Sequence, residues 1–351
     1  MKAIGYQDNL PISNEMSLQD ITIDKPVASG RDILVEVKAI SVNPVDYKIR
    51  ESRPAAEDEF AIIGWDAAGI VTAVGDEVSL FSVGDRVYYA GDLTRSGSNA
   101  EYQLVDERIV GRMPKSLSFS EAAALPLTTI TAWEMLFDRL QVPVASSENA
   151  DDAETLKSRP TVLVVGAAGG VGSIMTQLLK TRTQALIIGT ASRDESIKWL
   201  QTLGADHVIN HHNPLSDELN KIGISEVDYV VSLNNTQEHF DEIIKCLKPQ
   251  GKLGLIDDPE ALNVNALKLK SISLHWEFMY TRSMFTTPDM IEQHHLLNKV
   301  ATLIDTGKLQ TTVAHELGMI TAKNLRHAHQ MLENREAHGK IVLEDWPNSA
   351  E

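Results

Sequence analysis

A glycine-rich turn between an apolar strand and a helix is a place to hold phosphate, and this chain carries one. Residues Val164 to Gly172 read VVGAAGGVG, after the apolar run TVLVV and before the helical pattern SIMTQLLKT. From Ala167 the turn reads A-x-G-x-x-G, with Ala in the first glycine position. Gly169 lets the backbone approach a pyrophosphate, and Gly172 lets the helix pack closely on the strand. Gly170 and Val171 open that helix, whose N-terminus offers free N–H groups and a partial positive charge.

The end of the second strand selects among dinucleotides. It reads Gly189-Thr190-Ala191-Ser192-Arg193, with no carboxylate to hold a ribose 2′-hydroxyl. Ser192 can donate to a 2′-phosphate and Arg193 can neutralise it. The expectation is NADPH rather than NADH. Asp194 and Glu195 fit the first turn of the next helix.

Such a turn needs a scaffold, and the chain supplies one. From Thr161 strand and helix patterns alternate: TVLVVG, ALIIGTA, HVIN, VDYVVSL and GKLGLID are strands. This is the rhythm of a doubly wound parallel sheet, an α/β Rossmann arrangement. Residues 1 to about 125 instead hold short β-type runs, ILVEVKAISV, AAGIVTAVG and DRVYYAG among them. They argue for a compact barrel-like β domain. The stretch from Val142 to Pro160 is polar and acidic and reads as an exposed loop. After about residue 270 come SISLHWEF, two helical patterns and a closing strand, so the first domain is expected to be discontinuous.

Composition narrows the classes of function. The 351 residues exceed a single core at a prior of about 150 per domain. A formal net charge of -17 repels a phosphate backbone, which disfavours nucleic acid as a partner. No apolar run is long enough to span a bilayer, and the first residues, MKAIGYQDN, read as a strand rather than a signal peptide. The expected location is the cytoplasm. The single cysteine, Cys246, excludes an intramolecular disulfide and reads as a small core residue on a helix.

With these motifs in place the chain resembles the medium-chain dehydrogenase/reductase superfamily. The resemblance rests on Ile62-Ile63-Gly64-Trp65-Asp66-Ala67-Ala68-Gly69-Ile70-Val71, on Val83-Gly84-Asp85-Arg86-Val87, and on Ala123-Ala124-Leu125-Pro126-Leu127. It continues through Thr131-Ala132-Trp133, the glycine turn, Leu203-Gly204-Ala205 and Gly339-Lys340-Ile341-Val342-Leu343. Within the superfamily it is similar to the quinone-oxidoreductase branch. Thr190 to Arg193, Leu255 to Pro259 and Ser271 to Phe278 resemble a bacterial subgroup labelled zinc-type alcohol dehydrogenase-like. The resemblance implies a GroES-like β-rich catalytic domain (1–125), a Rossmann NADP-binding domain (126–270), and a last part (271–351) that ends the Rossmann sheet and returns to the catalytic domain. It also implies a homodimer.

Further site residues come from the resemblance alone. Thr131 is expected near the nicotinamide, His211 near the adenosine phosphate, and Ser232, Asn234 and Asp257 along the path of the ribose and nicotinamide. Zinc-dependent relatives carry Cys where this chain has Asn43, and Gly-His-Glu where it has Gly64-Trp65-Asp66. Neither Cys nor His is kept, the Pro126 to Thr131 region has no Cys, and no metal site is expected. On the substrate-side segment, Asn43 and Tyr47 are candidate donors to a carbonyl oxygen, and Asp46 is expected to orient its neighbours. The expected reaction is metal-free hydride transfer from NADPH to a quinone or another α,β-unsaturated carbonyl. The alternatives are zinc-dependent alcohol oxidation and a non-catalytic NADPH-binding sensor.

Overall fold

The computed structural model describes residues 1–145 and 159–347. Most of the polar stretch from Val142 to Pro160 therefore lies outside the described residues. The chain forms two compact units, one of Met1–Ile130 with the chain from Tyr280 onward, the other Thr131–Met279. Numbered along the chain, the first unit holds β1 (Lys2–Gly5), β2 (Gln19–Thr22), β3 (Asp32–Val42), β4 (Asp66–Val74), β5 (Arg86–Tyr89), β6 (Tyr102–Asp106) and β7 (Val110–Arg112). The second holds β8 (Thr161–Val165), β9 (Leu186–Thr190), β10 (His207–Ile209), β11 (Val227–Ser232), β12 (Leu247–Leu255) and β13 (Ser273–Trp276). The first unit ends with β14 (Val313–Glu316) and β15 (Lys340–Glu344).

In the first unit the eleven-residue β3 is the spine of a seven-stranded sheet ordered β14-β15-β3-β4-β5-β7, with β6 also paired to β3. Only β14–β15 is parallel; the other pairings are antiparallel. The registers are specific: Ser41 faces Asp66, and Val42 faces Ile341. One residue further on, the chain leaves β3 between the starts of β4 and β15. Asn43 then caps the Pro44–Ser52 helix, with Pro44 in its first turn, where a missing N–H costs nothing.

The second unit is a six-stranded sheet ordered β10-β9-β8-β11-β12-β13, with every pairing parallel. Relabelled within the unit, that order is 3-2-1-4-5-6, the doubly wound arrangement. All five residues of β8 are buried, as the unbroken apolar run requires. The chain leaves β8 toward β9 and later returns on its other side as β11, so β8 ends at the switch point. Cys246 is buried in this unit's core with Phe240, Ile243 and Leu253, and burial pushes its thiol up to about 12.

Local departures from the sequence reading have plain causes. The short helix Phe119–Ala123 is capped by Ser118, whose hydroxyl accepts from the Glu121 N–H while Glu121 reaches back to the Ser118 N–H. The helix Pro126–Trp133 widens into a π turn over Glu134–Arg139. β12 starts at Leu247, ahead of Pro249, and its pairing with β11 shifts register before it runs regularly. No described helix is long and apolar enough to cross a membrane.

At Gly69 on β4, an added Cβ would lie 2.1 Å from the Glu36 carbonyl oxygen on β3. Backbone cannot give way there as a flexible side chain could. Gly69→Ala should therefore lower the stability of the first unit by about 1–3 kcal/mol, read as a fall in the denaturant midpoint with an unchanged slope.

Candidate functional site

In the first unit the site is a buried ionic cluster at the end of β3. Lys340 opens β15 with its ammonium 3% exposed, and Asp66 opens β4 fully buried. The ammonium donates to the Val42 carbonyl at 3.2 Å, to Asp66 Oδ2 at 3.0 Å, and to Asn43 Oδ1. Three hydrogens thus meet three acceptors. Asn43 in turn donates from Nδ2 to Asp66 Oδ2 at 2.8 Å, and Asp66 Oδ1 accepts the Leu127 N–H at 2.8 Å. Lys340 and Asp66 are thereby saturated inside the fold.

This arrangement corrects one expectation. Asn43 is not poised to donate its amide to a substrate, because that amide is 1% exposed and bonded to Asp66. Its oxygen is equally committed to Lys340. Asp46 Oδ2 accepts the Asn43 N–H at 2.6 Å. Its other oxygen, Oδ1, is buried without a hydrogen-bond partner. Burial pushes the Asp46 carboxyl up to about 7, against the lowering effects of the Asn43 N–H and the Lys340 charge. Tyr47, next along the helix, is half-buried. Asn43 and Asp46 are thus tied to each other and to Asp66 and Lys340, which leaves Tyr47 as the remaining candidate donor. The next helical turn is fixed by Arg50, fully buried and paired with Glu333 at 2.6 Å.

The residues present do not fit a catalytic zinc. Trp65, at the position of the relatives' histidine, is buried, and its indole N–H donates to the Asp92 carbonyl at 3.1 Å. Asp66 is already bonded to a lysine and an amide. Among the described residues no group of three or more His, Cys, Asp or Glu side chains could hold a metal ion.

In the second unit the expected cofactor residues gather at one sheet edge, because parallel strands all end on the same side. Gly169 caps the Gly170–Arg182 helix with extended backbone, and Gly170, Val171 and Gly172 form its first turn. At Gly172 an added Cβ would sit 2.3 Å from the Ala167 carbonyl oxygen, which makes the close turn impossible for any other residue. The sequence reading missed Gly166, which lies at φ +79° with the Asn234 side chain packed on it. It also missed Thr190, whose hydroxyl accepts the Gly166 N–H at 3.0 Å. Asn234 itself is exposed.

Ser232 and Asp257 are brought together through Thr236, another residue the sequence did not single out. The Thr236 N–H donates to Asp257 Oδ2 at 2.8 Å and its hydroxyl donates to Asp257 Oδ1, lying 2.8 Å from the Ser232 oxygen. The Asp257 carboxylate thus closes the turn after β11. Ser192 and exposed Arg193 follow β9, and Arg193 caps the Asp194–Leu203 helix. His211 follows β10, its ring centroid 4.7 Å from that of His212 and 6.4 Å from that of His239. Burial first, then the charges of His212, His239 and Arg193, lower the His211 pKa. Thr131 is buried in the Pro126–Trp133 helix, where the second unit begins.

Comparisons with known proteins agree with this fold. A family described as zinc-binding dehydrogenase matches residues 203–343, and the alcohol dehydrogenase GroES-like domain matches 29–115. The chain is 40% identical to a zinc-type alcohol dehydrogenase-like protein of Staphylococcus aureus, over 98% of this chain and 99% of the relative. A solved structure from Rhizobium etli, assigned to the zinc-dependent alcohol dehydrogenases, superposes with a TM-score of 0.93 at 50% identity, covering 99% of this chain and 98% of that one. The Escherichia coli quinone oxidoreductase complexed with NADPH gives 0.79 at 25% identity, over 98% of this chain and all of that one.

Asp46 offers a test of the cluster. A carboxyl whose folded pKa lies above its unfolded value binds its proton more tightly when folded, so its contribution to stability is full at pH 4 and is lost as pH rises toward about 7. The whole effect is at most about 4 kcal/mol. Asp46→Asn, which keeps the acceptor but cannot ionise, should gain on wild type as pH rises from 4 to 7 and hold a constant difference above. Parallel melting curves across that range would refute the burial of an ionisable group here.

Proposed function

The chain belongs to the medium-chain dehydrogenase/reductase superfamily of oxidoreductases, and we propose that it transfers hydride from NADPH to a quinone or another α,β-unsaturated carbonyl without a metal. The superfamily binds a nicotinamide cofactor, and the glycine turn fits one: a close backbone approach at Gly169, free N–H groups at the helix start, and a cradle at Gly172 that a Cβ would fill. The choice of NADPH rests on Ser192 and Arg193 at the end of β9, with His211 beside them and no carboxylate at the strand end. The one observation that carries the metal-free reading is the donor set: amide, indole and a lysine-bound carboxylate stand where zinc ligands would be needed.

The bound cofactor supplies the hydride. The residues of this chain bind it, orient it and manage the charge that the acceptor gathers. A conjugated carbonyl becomes more negative at oxygen as hydride arrives and needs a donor there. With the Asn43 amide spent on Asp66, that task falls to the phenol of Tyr47. Asp46 and Asn43 hold the helix turn from which Tyr47 projects.

The test is cofactor oxidation by chelator-treated protein, followed as loss of reduced-nicotinamide absorbance with NADPH or NADH and a quinone. Turnover should survive chelation. Arg193→Asp should weaken NADPH binding roughly 10- to 100-fold, as loss of a charge-assisted contact implies, with little change for NADH. Turnover that returns only on adding zinc would overturn the metal-free reading, and tight NADPH binding without turnover on any acceptor would make the protein a sensor rather than a reductase.

A further inference from the structure

The Lys340 cluster does more than the proposed chemistry asks of it. The three groups that receive the ammonium come from the end of β3 (Val42), the helix cap (Asn43) and the start of β4 (Asp66). Lys340 itself begins β15, 297 residues beyond Asn43 in the chain. No backbone pairing reaches Asn43, which lies just past the last β3 residue in both registers. Its side chain is held by Lys340 and Asp66, with a longer 3.5 Å contact from its amide to the Ser41 carbonyl, and its N–H is held by Asp46.

The charges facing one another here are Lys340, Asp66 and Asp46, and the buried phenol of Tyr280 is subject to the fields of Asp46, Asp66 and Asp92. Only Lys340 is positive. Removing it would leave Asp66 as a buried anion with Asp46 nearby, and the Asn43 oxygen without a donor.

We infer that Lys340 is a positioning residue: its buried ammonium ties Asn43 to Asp66 and thereby fixes the first turn of the helix that presents Tyr47. The activity arm of this inference rests on the function proposed above; the structural arm does not. Lys340 touches neither cofactor nor acceptor in this role. Its positive charge, rather than its bulk, is what the site requires.

The experiment compares Lys340→Met and Lys340→Ala with wild type, by thermal melting, by NADPH binding and by turnover with a quinone. Breaking one side of a buried pair should lower the melting temperature of Lys340→Met by roughly 5–15 °C. Turnover number should fall at least about 10-fold, because a misplaced donor costs transition-state contact, while NADPH affinity, which belongs to the second unit, should stay within about twofold of wild type. For Lys340→Ala, propylammonium should restore melting temperature and turnover, and the neutral 1-propanol should not. Wild-type melting and turnover in Lys340→Met would overturn the inference, as would equal rescue by the alcohol. If Lys340→Ala does not fold without additive, recovery of a cooperative transition by propylammonium alone decides the matter. If wild type turns over no acceptor, the proposed function fails, and the melting and rescue results still judge Lys340.

Discussion

A lysine and an aspartate cannot be buried together unless nearly every hydrogen and lone pair is used, and the first unit is arranged around meeting that condition. Taking two ions out of water costs several kcal/mol each, and their attraction offsets this only with good geometry and further hydrogen bonds. Lys340 and Asp66 satisfy it with a carbonyl and an amide from the adjacent Val42 and Asn43 and with the backbone N–H of Leu127. The consequence is a fixed register. A one-residue slip of β15 along β3 would turn Lys340 to the opposite face and strand Asp66. The pair therefore specifies which residue of β3 is the last, and so where the next helix begins.

The second unit solves a different problem by different means. Its site must bring backbone, not side chains, close to a ligand. Gly172 and Gly166 do this by lacking a Cβ, one against the Ala167 carbonyl and the other under Asn234. The polar side chains at the same edge serve mainly to hold the loops in place. Thr190 steadies the glycine turn from the neighbouring strand, and Asp257 pins the turn after β11 through Thr236. Ser192, Arg193 and His211 stand where the same sheet edge meets solvent.

This division explains how much was legible in the sequence. The glycine turn could be read directly, because its chemistry is local: nine consecutive residues state the strand, the close approach and the helix start. The parallel sheet followed from continuous apolar runs, and β8 is buried throughout as such a run demands. Cys246 on its helix reads as core for the same reason. The Lys340 cluster could not be read, since its members sit at positions 43, 66 and 340 and meet only through two registers of β3. Lys340 lay in plain view in a motif used to recognise the closing strand, and nothing local marks it as buried. Asn43 was misjudged on the same ground: a free amide in the sequence is a committed one in the fold. Ser118 was legible and overlooked, for Ser-x-x-Glu before an alanine run is a capping box.

Asp46 shows how these constraints reach the chemistry. At a helix N-terminus an ionised carboxylate is favoured by the free N–H groups and the helix dipole. In a buried site the neutral acid is favoured, because a charge with an unpartnered oxygen loses its hydration. Asp46 is subject to both: one oxygen takes the Asn43 N–H, the other meets nothing, and Lys340 and Asp66 pull in opposite directions. The balance falls near neutrality. A neutral carboxyl accepts the Asn43 N–H less strongly than an ionised one. Asn43 begins the helix turn that carries Tyr47, so the proton on Asp46 and the placement of the phenol are linked through a single backbone N–H. The buried cluster is thereby a brace for the first turn of this helix.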